Sequence, residues 1–592
     1  MIVTLIFSFF NLLSIIGYGI ILELFYKNKK FNEFNLFFGG LTFLAFISLL
    51  VNFFSPINIL ISNIVFSFGI LIALLYIGFF KKLSLIVLFV SISLFVAIIS
   101  YKSYAYNDYG LYHLPYMEII RNYKIIFGLS NFDFRFGIIS IFQNISAIQY
   151  NSFMGKDSYV MLTPSILALS IYYYYINFNK TKFIIIFYIC TLGLIYFLLH
   201  ANRYGTLGND IPSHCISLIS YIVFFKIIFN KNSNNKENIK LLFYTIILGL
   251  MSKITLSLNF FLLAPILLLN RKLIFKNIFI ILFSIIVFFS FFVKNFINTS
   301  CFVYPMNHTC IETTWKPNRF DISSSEFVSK FSSVMVKEFM KTNLINDESV
   351  NDKLLISNNL NKFNIENKNY NNFETKNINS FIIYSEYDKL SSWIKLYFNN
   401  HFKNKILKEI FPILFLNILI IFIFYFYFNY KNKSKIKLNK FELFFLLLIV
   451  ISNIIWFLKA PLLRYGLSYV LILINLPFLF LLYNYIKNKE QLIKLKKIYK
   501  LIFLFFTIIL ISKNILRIQN YDLKNNFTDN IVPLQKTEYK KIEFNNFNFN
   551  TPIEGVCSIT PPPCTVFGNH FILGKFKVEK NKYNYILISK KE

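Results

Sequence analysis

Charge is scarce in this chain, and acidic charge scarcest of all. Only 15% of its 592 residues are Asp, Glu, Lys or Arg, and 29 acids face 61 Lys and Arg. A soluble chain of this length needs more polar surface than that to cover itself. With 56% hydrophobic residues and a mean hydropathy of +0.53, the composition excludes a water-soluble globule. A solenoid-type internal repeat is also missing, and so is the Cys-x2-Cys spacing typical of structural zinc sites. The formal charge of +32 would suggest a nucleic-acid partner, but most of the charges punctuate hydrophobic runs, which argues for membrane topology instead. The abundance of Phe, Ile, Asn and Lys resembles a genome-wide AT bias, so single Lys or Asn residues carry little functional weight.

What the chain has in place of charge is apolar stretches of about 20 residues, each long enough to cross roughly 30 Å of hydrocarbon. Fourteen spans are predicted near 2–26, 36–54, 58–80, 83–100, 158–178, 183–200, 212–229, 239–256, 258–270, 277–293, 407–430, 441–458, 466–486 and 498–516. The ninth and its predecessor are the weakest and could be tilted or re-entrant. Every odd-numbered span exits into a Lys-rich, acid-poor connection, such as Lys81–Lys82, Lys180–Lys182 and Arg271–Lys276. That is the cytoplasmic signature, and it places both termini outside. The expected fold is an all-α polytopic membrane protein of about 14 transmembrane helices. Four N-terminal helices (1–100) precede a first outer loop (101–157), six helices (158–293), a large outer loop (294–406), four more helices (407–516) and an outer C-terminal tail (517–592).

The outer segments carry their own expectations. The first loop reads as short helices at the membrane surface. The second has amphipathic stretches at Ser325–Lys341 and Ser391–Lys405. The tail shows strand-like runs at Phe571–Val578 and Tyr583–Ser589, as in a small β-rich unit. Cys301 with Cys310, and Cys557 with Cys564, could each close a short disulfide loop in an oxidising compartment. Cys190 and Cys215 fall within spans and read as small core residues.

Ionisable groups at the outer boundary are costly unless they face a cavity or each other. Three clusters stand out. In the first loop, Asp108 follows a span directly and His113 lies close by; a carboxylate there could deprotonate an acceptor hydroxyl or hold a divalent cation. The plainer alternative is an N-cap for the helix that carries Tyr112, His113 and Tyr116. After the sixth span come His200, Arg203, Tyr204, Asp210 and His214. Arg203 could bind phosphate with Asp210 as a second acid, or the two could simply pair. Between two late spans lies Trp456 to Gly466, where Arg464 offers a fork suited to a phosphate diester or pyrophosphate. Trp456 and Tyr465 could be interfacial anchors. Lys253 and Lys294 are cations at span ends that snorkelling would explain.

These residues together resemble the GT-C class of membrane glycosyltransferases, which take sugars from polyprenyl-phosphate donors. More narrowly, Asp108-Tyr109-Gly110-Leu111-Tyr112-His113-Leu114, the run from Lys294 to Ser300 into Tyr304-Pro305, Trp315-Lys316-Pro317, Ala460 to Gly466 and Pro561 to Thr565 are similar, in order, to large bacterial membrane proteins associated with surface-polysaccharide synthesis. The chain departs from that group at Lys294, where relatives tend to have Arg, and near Leu462–Leu463, where they tend to have an acid. The resemblance implies an inverting glycosyltransferase of a bacterial inner membrane, with a polyprenyl-phosphate-linked sugar as donor and a cell-envelope glycan or glycolipid as acceptor. Asp108 would be the base or a metal ligand, with His113 and Asp210 as further catalytic candidates. Arg203, Lys294, Arg464 and Tyr465 would bind substrate. No cofactor is required, a divalent cation at Asp108 is left open, and no nucleic acid is expected. A lipid-linked-sugar flippase or transporter and a polysaccharide polymerase or ligase are the alternatives.

Overall fold

The computed structural model describes the chain apart from residues 26–31, 81, 104–107, 230–234, 270, 318–393, 395–396, 428–437, 487, 522–526, 545–546, 554–555, 567–575, 581–584 and 591–592. The stretch Ser325–Lys341 lies outside the described residues, as does the first part of Ser391–Lys405.

Four helices open the chain: α1 (Ile2–Leu24), α2 (Glu33–Phe54), α3 (Ile59–Phe80) and α4 (Leu83–Ser100). α1 packs on the other three, and small residues make the approach close. A Cβ on Gly17 would meet the Gly69 carbonyl oxygen at 1.9 Å, so neither position accepts a side chain without moving the backbone. The next segment makes a single π-helical turn at Tyr109–His113 and then α5 (Leu114–Asn122), α6 (Leu129–Phe132) and α7 (Ile141–Ile148). The expected short helices of this loop are present, and all eight residues of α7 are buried within the protein.

A second group follows: α8 (Leu162–Lys180), α9 (Ile184–His200), α10 (Asp210–Phe229), α11 (Asn235–Ser252), a 3-10 stretch Ile254–Leu262 running into α12 (Leu263–Leu269), α13 (Arg271–Phe275) and α14 (Ile278–Thr299). After a π-helical stretch at Phe398–Leu407 come α15 (Lys408–Tyr427), α16 (Lys440–Lys459), α17 (Leu463–Ile474), α18 (Leu476–Tyr485) and α19 (Lys489–Gln519). α17 and α18 are one span broken at Asn475, with Pro477 opening the second piece, where its missing N–H costs nothing. Helices α8 to α10 are mostly buried. Large apolar side chains stand exposed along α3, α14, α15 and α19, as they would against lipid.

Twelve described helices are long and apolar enough to cross a membrane. Of the fourteen expected spans, 239–256 and 258–270 are not among these twelve, and the reasons are local. α11 carries Lys236, Glu237 and Lys240 in its first turns. It nevertheless joins the two ends of the bundle. Near its start, Lys240 pairs with Glu23 at 2.6 Å and Glu237 takes a hydrogen bond from Asn35 at 2.6 Å; just past its end, Lys253 pairs with Asp210. The return stretch, Ile254–Leu269, is short but begins as nine residues of 3-10 helix. At about 2.0 Å per 3-10 residue and 1.5 Å per α residue, it extends roughly 28 Å.

The tail holds two antiparallel hairpins. β1 (Tyr539–Phe544) pairs with β2 (Phe547–Pro552) in the register Tyr539↔Pro552, and β3 (Phe576–Lys580) with β4 (Ile586–Lys590) in the register Phe576↔Lys590. The second hairpin overlaps the two expected strand-like runs; the first was not anticipated. The tail is docked on the first loop. Phe127 exchanges backbone hydrogen bonds with Ile586 and Ile588, the Ser558 amide donates to Gly110 at 2.8 Å, and the Lys102 amide to Ile531 at 2.7 Å. Disulfides join Cys301 to Cys310 and Cys557 to Cys564, while Cys190 and Cys215 are free and buried in α9 and α10.

Candidate functional site

Asp108 precedes the π-helical turn, but its carboxylate does not cap it: no side-chain capping bond is made. It accepts instead from Arg464 Nη1 at 2.8 Å, across 356 positions of sequence. Arg464 Nε also lies 3.8 Å from Asp210 Oδ2, and the other oxygen of Asp210 is paired with Lys253. Two carboxylates and two cations therefore form one chain, Asp108–Arg464–Asp210–Lys253. Its members come from the foot of α4, the first turn of α17, the first turn of α10 and the end of α11. The side chains of Asp108 and Arg464 are 35% and 45% exposed, so this is an open site and not a sealed core contact.

Arg464 is held from behind. Trp456 Nε1 donates to the Leu462 carbonyl at 2.8 Å, and Gly466 lies under the indole, where a Cβ would come within 2.6 Å of the ring. The Leu463 amide donates to His401 Nε2 at 2.9 Å. The Arg464 carbonyl accepts from His214 Nε2 at 3.0 Å and from Lys253 Nζ at 2.9 Å. Since a carbonyl only accepts, His214 carries its proton on Nε2, leaving Nδ1 to face Ser468 Oγ at 3.0 Å. Tyr465 completes the corner: its hydroxyl accepts from Arg464 Nη2 at 3.2 Å, Lys253 Nζ stands 4.1 Å from its ring centroid, and its carbonyl is held by Thr255. Trp456 is buried, so it clamps this corner and is no interfacial anchor.

His113 lies on the inner side of the same centre. Its Nδ1 is 2.9 Å from Gln143 Nε2 and 3.3 Å from Asn209 Nδ2. Burial drives its pKa down to about 4, with Arg464 and Lys253 adding to the effect of burial while Asp108 and Asp210 oppose it. At neutral pH the ring is uncharged.

Two expected members lie elsewhere. Arg203 pairs with Glu409 at 2.8 Å, in a separate group with Tyr196 and Lys405, and not with Asp210. Lys294 is buried in α14, where Asn52 and Asn144 each accept from its Nζ at 2.9 Å and the Tyr116 ring stands 5.6 Å away. It meets none of the site's carboxylates. A divalent cation at Asp108 does not fit this donor set: both acids turn to Arg464. Among the described residues, no group of three His, Cys, Asp or Glu side chains could hold a metal ion.

Lys253, Gln143 and Asn209 are the members that sequence reasoning missed. On sequence alone, snorkelling suffices to explain Lys253. Gln143 does carry a local signal, the Ser-x-x-Gln of a capping box, but that pattern announces a helix start and says nothing of a histidine 30 residues earlier.

The fold and the site define a multi-pass helical membrane protein with a charged centre at one end of its bundle. A family described as a domain of unknown function (DUF8201) matches residues 1–364, and the chain belongs to that family. The match takes in Asp108, His113, Gln143, Asp210 and Lys253 and stops short of Arg464. No curated protein matches the chain, and no solved structure does.

Proposed function

We propose that the protein is an integral membrane glycosyltransferase. It moves a sugar from a polyprenyl-phosphate donor to a cell-envelope glycan or glycolipid, on the outer face of a bacterial inner membrane and with both termini outside. The observation that carries this reading is the convergence of one acid, Asp108, with two cations, Arg464 and Lys253, from remote parts of the chain at a single open point.

The acceptor hydroxyl oxygen attacks the anomeric carbon and its proton passes to the Asp108 carboxylate. The bond from that carbon to the lipid phosphate oxygen breaks, its electron pair leaves with the phosphate, and the configuration inverts. Charge builds on the leaving phosphate, so Arg464 and Lys253 stabilise the transition state more than the ground state. A phosphate leaving group needs no general acid. Asp108 is bound to Arg464 at rest; an arriving phosphate competes for the same guanidinium and frees the carboxylate to act. Asp210 holds the two cations together, and no step passes through a metal.

Purified protein bearing Asp108→Asn should lose transfer entirely while inserting and expressing as wild type. Undiminished transfer by that variant would remove Asp108 as the base, and absence of transfer by the wild-type protein would remove the proposal. Movement of lipid-linked sugar into vesicles without bond formation would point to a flippase instead.

A further inference from the structure

The orientation of Gln143 settles a proton elsewhere. Gln143 stands in the first turn of α7, and its Oε1 accepts from the backbone N–H of Ser140 at 2.9 Å, closing the capping box that starts the helix. A backbone N–H can only donate, so the atom it meets must be the amide oxygen and the other branch must be the NH2 group. That NH2 faces His113 Nδ1 at 2.9 Å, and the Asn209 NH2 converges on the same nitrogen at 3.3 Å. Two donors cannot share a protonated nitrogen. His113 Nδ1 is therefore a lone-pair acceptor, and the single ring proton sits on Nε2.

Nε2 meets no partner among the described residues, and the residue as a whole is buried but for 5% of its surface. The charges of Asp108, Asp210, Arg464 and Lys253 are near enough to act on the ring, and Tyr112 is tilted against it at 4.2 Å between centroids.

We propose that His113 serves the site as a neutral hydrogen-bond donor, presenting Nε2–H to a phosphate oxygen of the bound anionic ligand, and that Gln143 is the positioning residue that enforces this tautomer. The role rests on the glycosyltransferase reading only in naming the ligand as a lipid phosphate. It also removes His113 as a base: its only lone pair is already taken by two amides. The depressed pKa agrees with this, since burial keeps the ring neutral near pH 7, where a phosphate is ionised.

The test uses the full chain in lipid nanodiscs, labelled with 15N-histidine, with His113→Gln assigning one signal among the six histidines. The expected signal is a neutral ring protonated at Nε2 from pH 6 to 8, and decyl phosphate should shift it. Inorganic phosphate in a second arm separates a lipid headgroup from a free anion: a response to either supports the donor role and names the source. Gln143→Glu keeps a capping residue at the same place but offers only acceptors to Nδ1. It should move the proton to Nδ1 or charge the ring, and give ligand binding a pH dependence that wild type lacks. His113→Asn should weaken decyl phosphate binding about tenfold or more, as loss of a hydrogen bond to a charged group does, while His113→Gln retains an N–H near the Nε2 position.

A wild-type ring protonated at Nδ1 or charged at pH 7 would overturn the inference, and so would a signal indifferent to both phosphates. Either result leaves the Asp108→Asn outcome untouched. Conversely, no transfer by the wild-type protein with the Nε2–H signal intact and responsive to phosphate would sink the enzymatic reading and spare the donor.

Discussion

Two carboxylate–cation pairs of nearly equal length sit at opposite ends of the bundle. Lys240 meets Glu23 at 2.6 Å with both side chains sealed, at 0% and 1% exposure. Arg464 meets Asp108 at 2.8 Å with both partly open, at 45% and 35%. Contact geometry hardly distinguishes them; exposure does. A sealed pair has spent its desolvation cost on folding, and opening it strands a charge in a low-dielectric interior. An open pair is only weakly held, because water and a competing anion can replace either partner. The first pair therefore fastens α11 to α1, while the second can be exchanged against substrate.

That contrast breaks most sharply at the sealed pair. Lys240→Ala should cost about 3–5 kcal/mol of stability, since it takes a sealed ammonium away from the buried Glu23 carboxylate. Thermal unfolding in detergent, compared with wild type, reads this directly. A shift no larger than that of a surface substitution would show that exposure is not what separates the two pairs.

At the open pair the expectation reverses. Arg464→Ala should change stability by roughly 1 kcal/mol or less, yet lower transfer by about 10²–10³-fold, the scale of losing one preorganised charge donor. Arg464→Lys should recover only part of this, because an ammonium cannot reach Asp108, Asp210 and a phosphate with the planar fork that a guanidinium offers. Unfolding temperature and turnover measured on the same preparations sharpen the comparison. Loss of both together would make Arg464 a second structural strut.

How far the sequence reveals this division depends on what each feature needs from the rest of the chain. The spans are legible because each is a local property of about 20 residues. Asp108, Asp210 and Arg464 are legible as charges next to spans. Their meeting is not, because helix order around a bundle does not follow chain order, and 356 residues separate Asp108 from Arg464. The sealed pair escapes a linear reading for the same reason: Lys240 counts as one more cytoplasmic lysine until Glu23 is seen beside it. α11 and Ile254–Leu269 blur the span count because a charged first turn and a 3-10 start each dilute the hydropathic signal. In the β1–β2 hairpin, β1 with its paired Lys540 and Lys541 breaks the apolar alternation, and β2 keeps it only over the four residues from Phe547 to Asn550, too short a run to announce a strand pair.

Arg203 gives the smallest effect and the finest discrimination. It too is an open cation paired with an acid, at 2.8 Å from Glu409, so exposure alone would rank it with Arg464. It differs in company. Glu409 also receives Lys405 at 3.7 Å and Tyr196 at 3.4 Å, and neither Asp108 nor Lys253 is among its partners. If function requires the acid and both cations at one point, Arg203→Ala should lower transfer only a few-fold and stability by roughly 1 kcal/mol or less, since Lys405 remains on the same carboxylate. A loss of transfer matching that of Arg464→Ala would mean that the phosphate-binding surface extends across both groups. The reactive point would then be a groove running from Glu409 to Asp108, and openness, not convergence, would be the mark of a working residue at this end of the bundle.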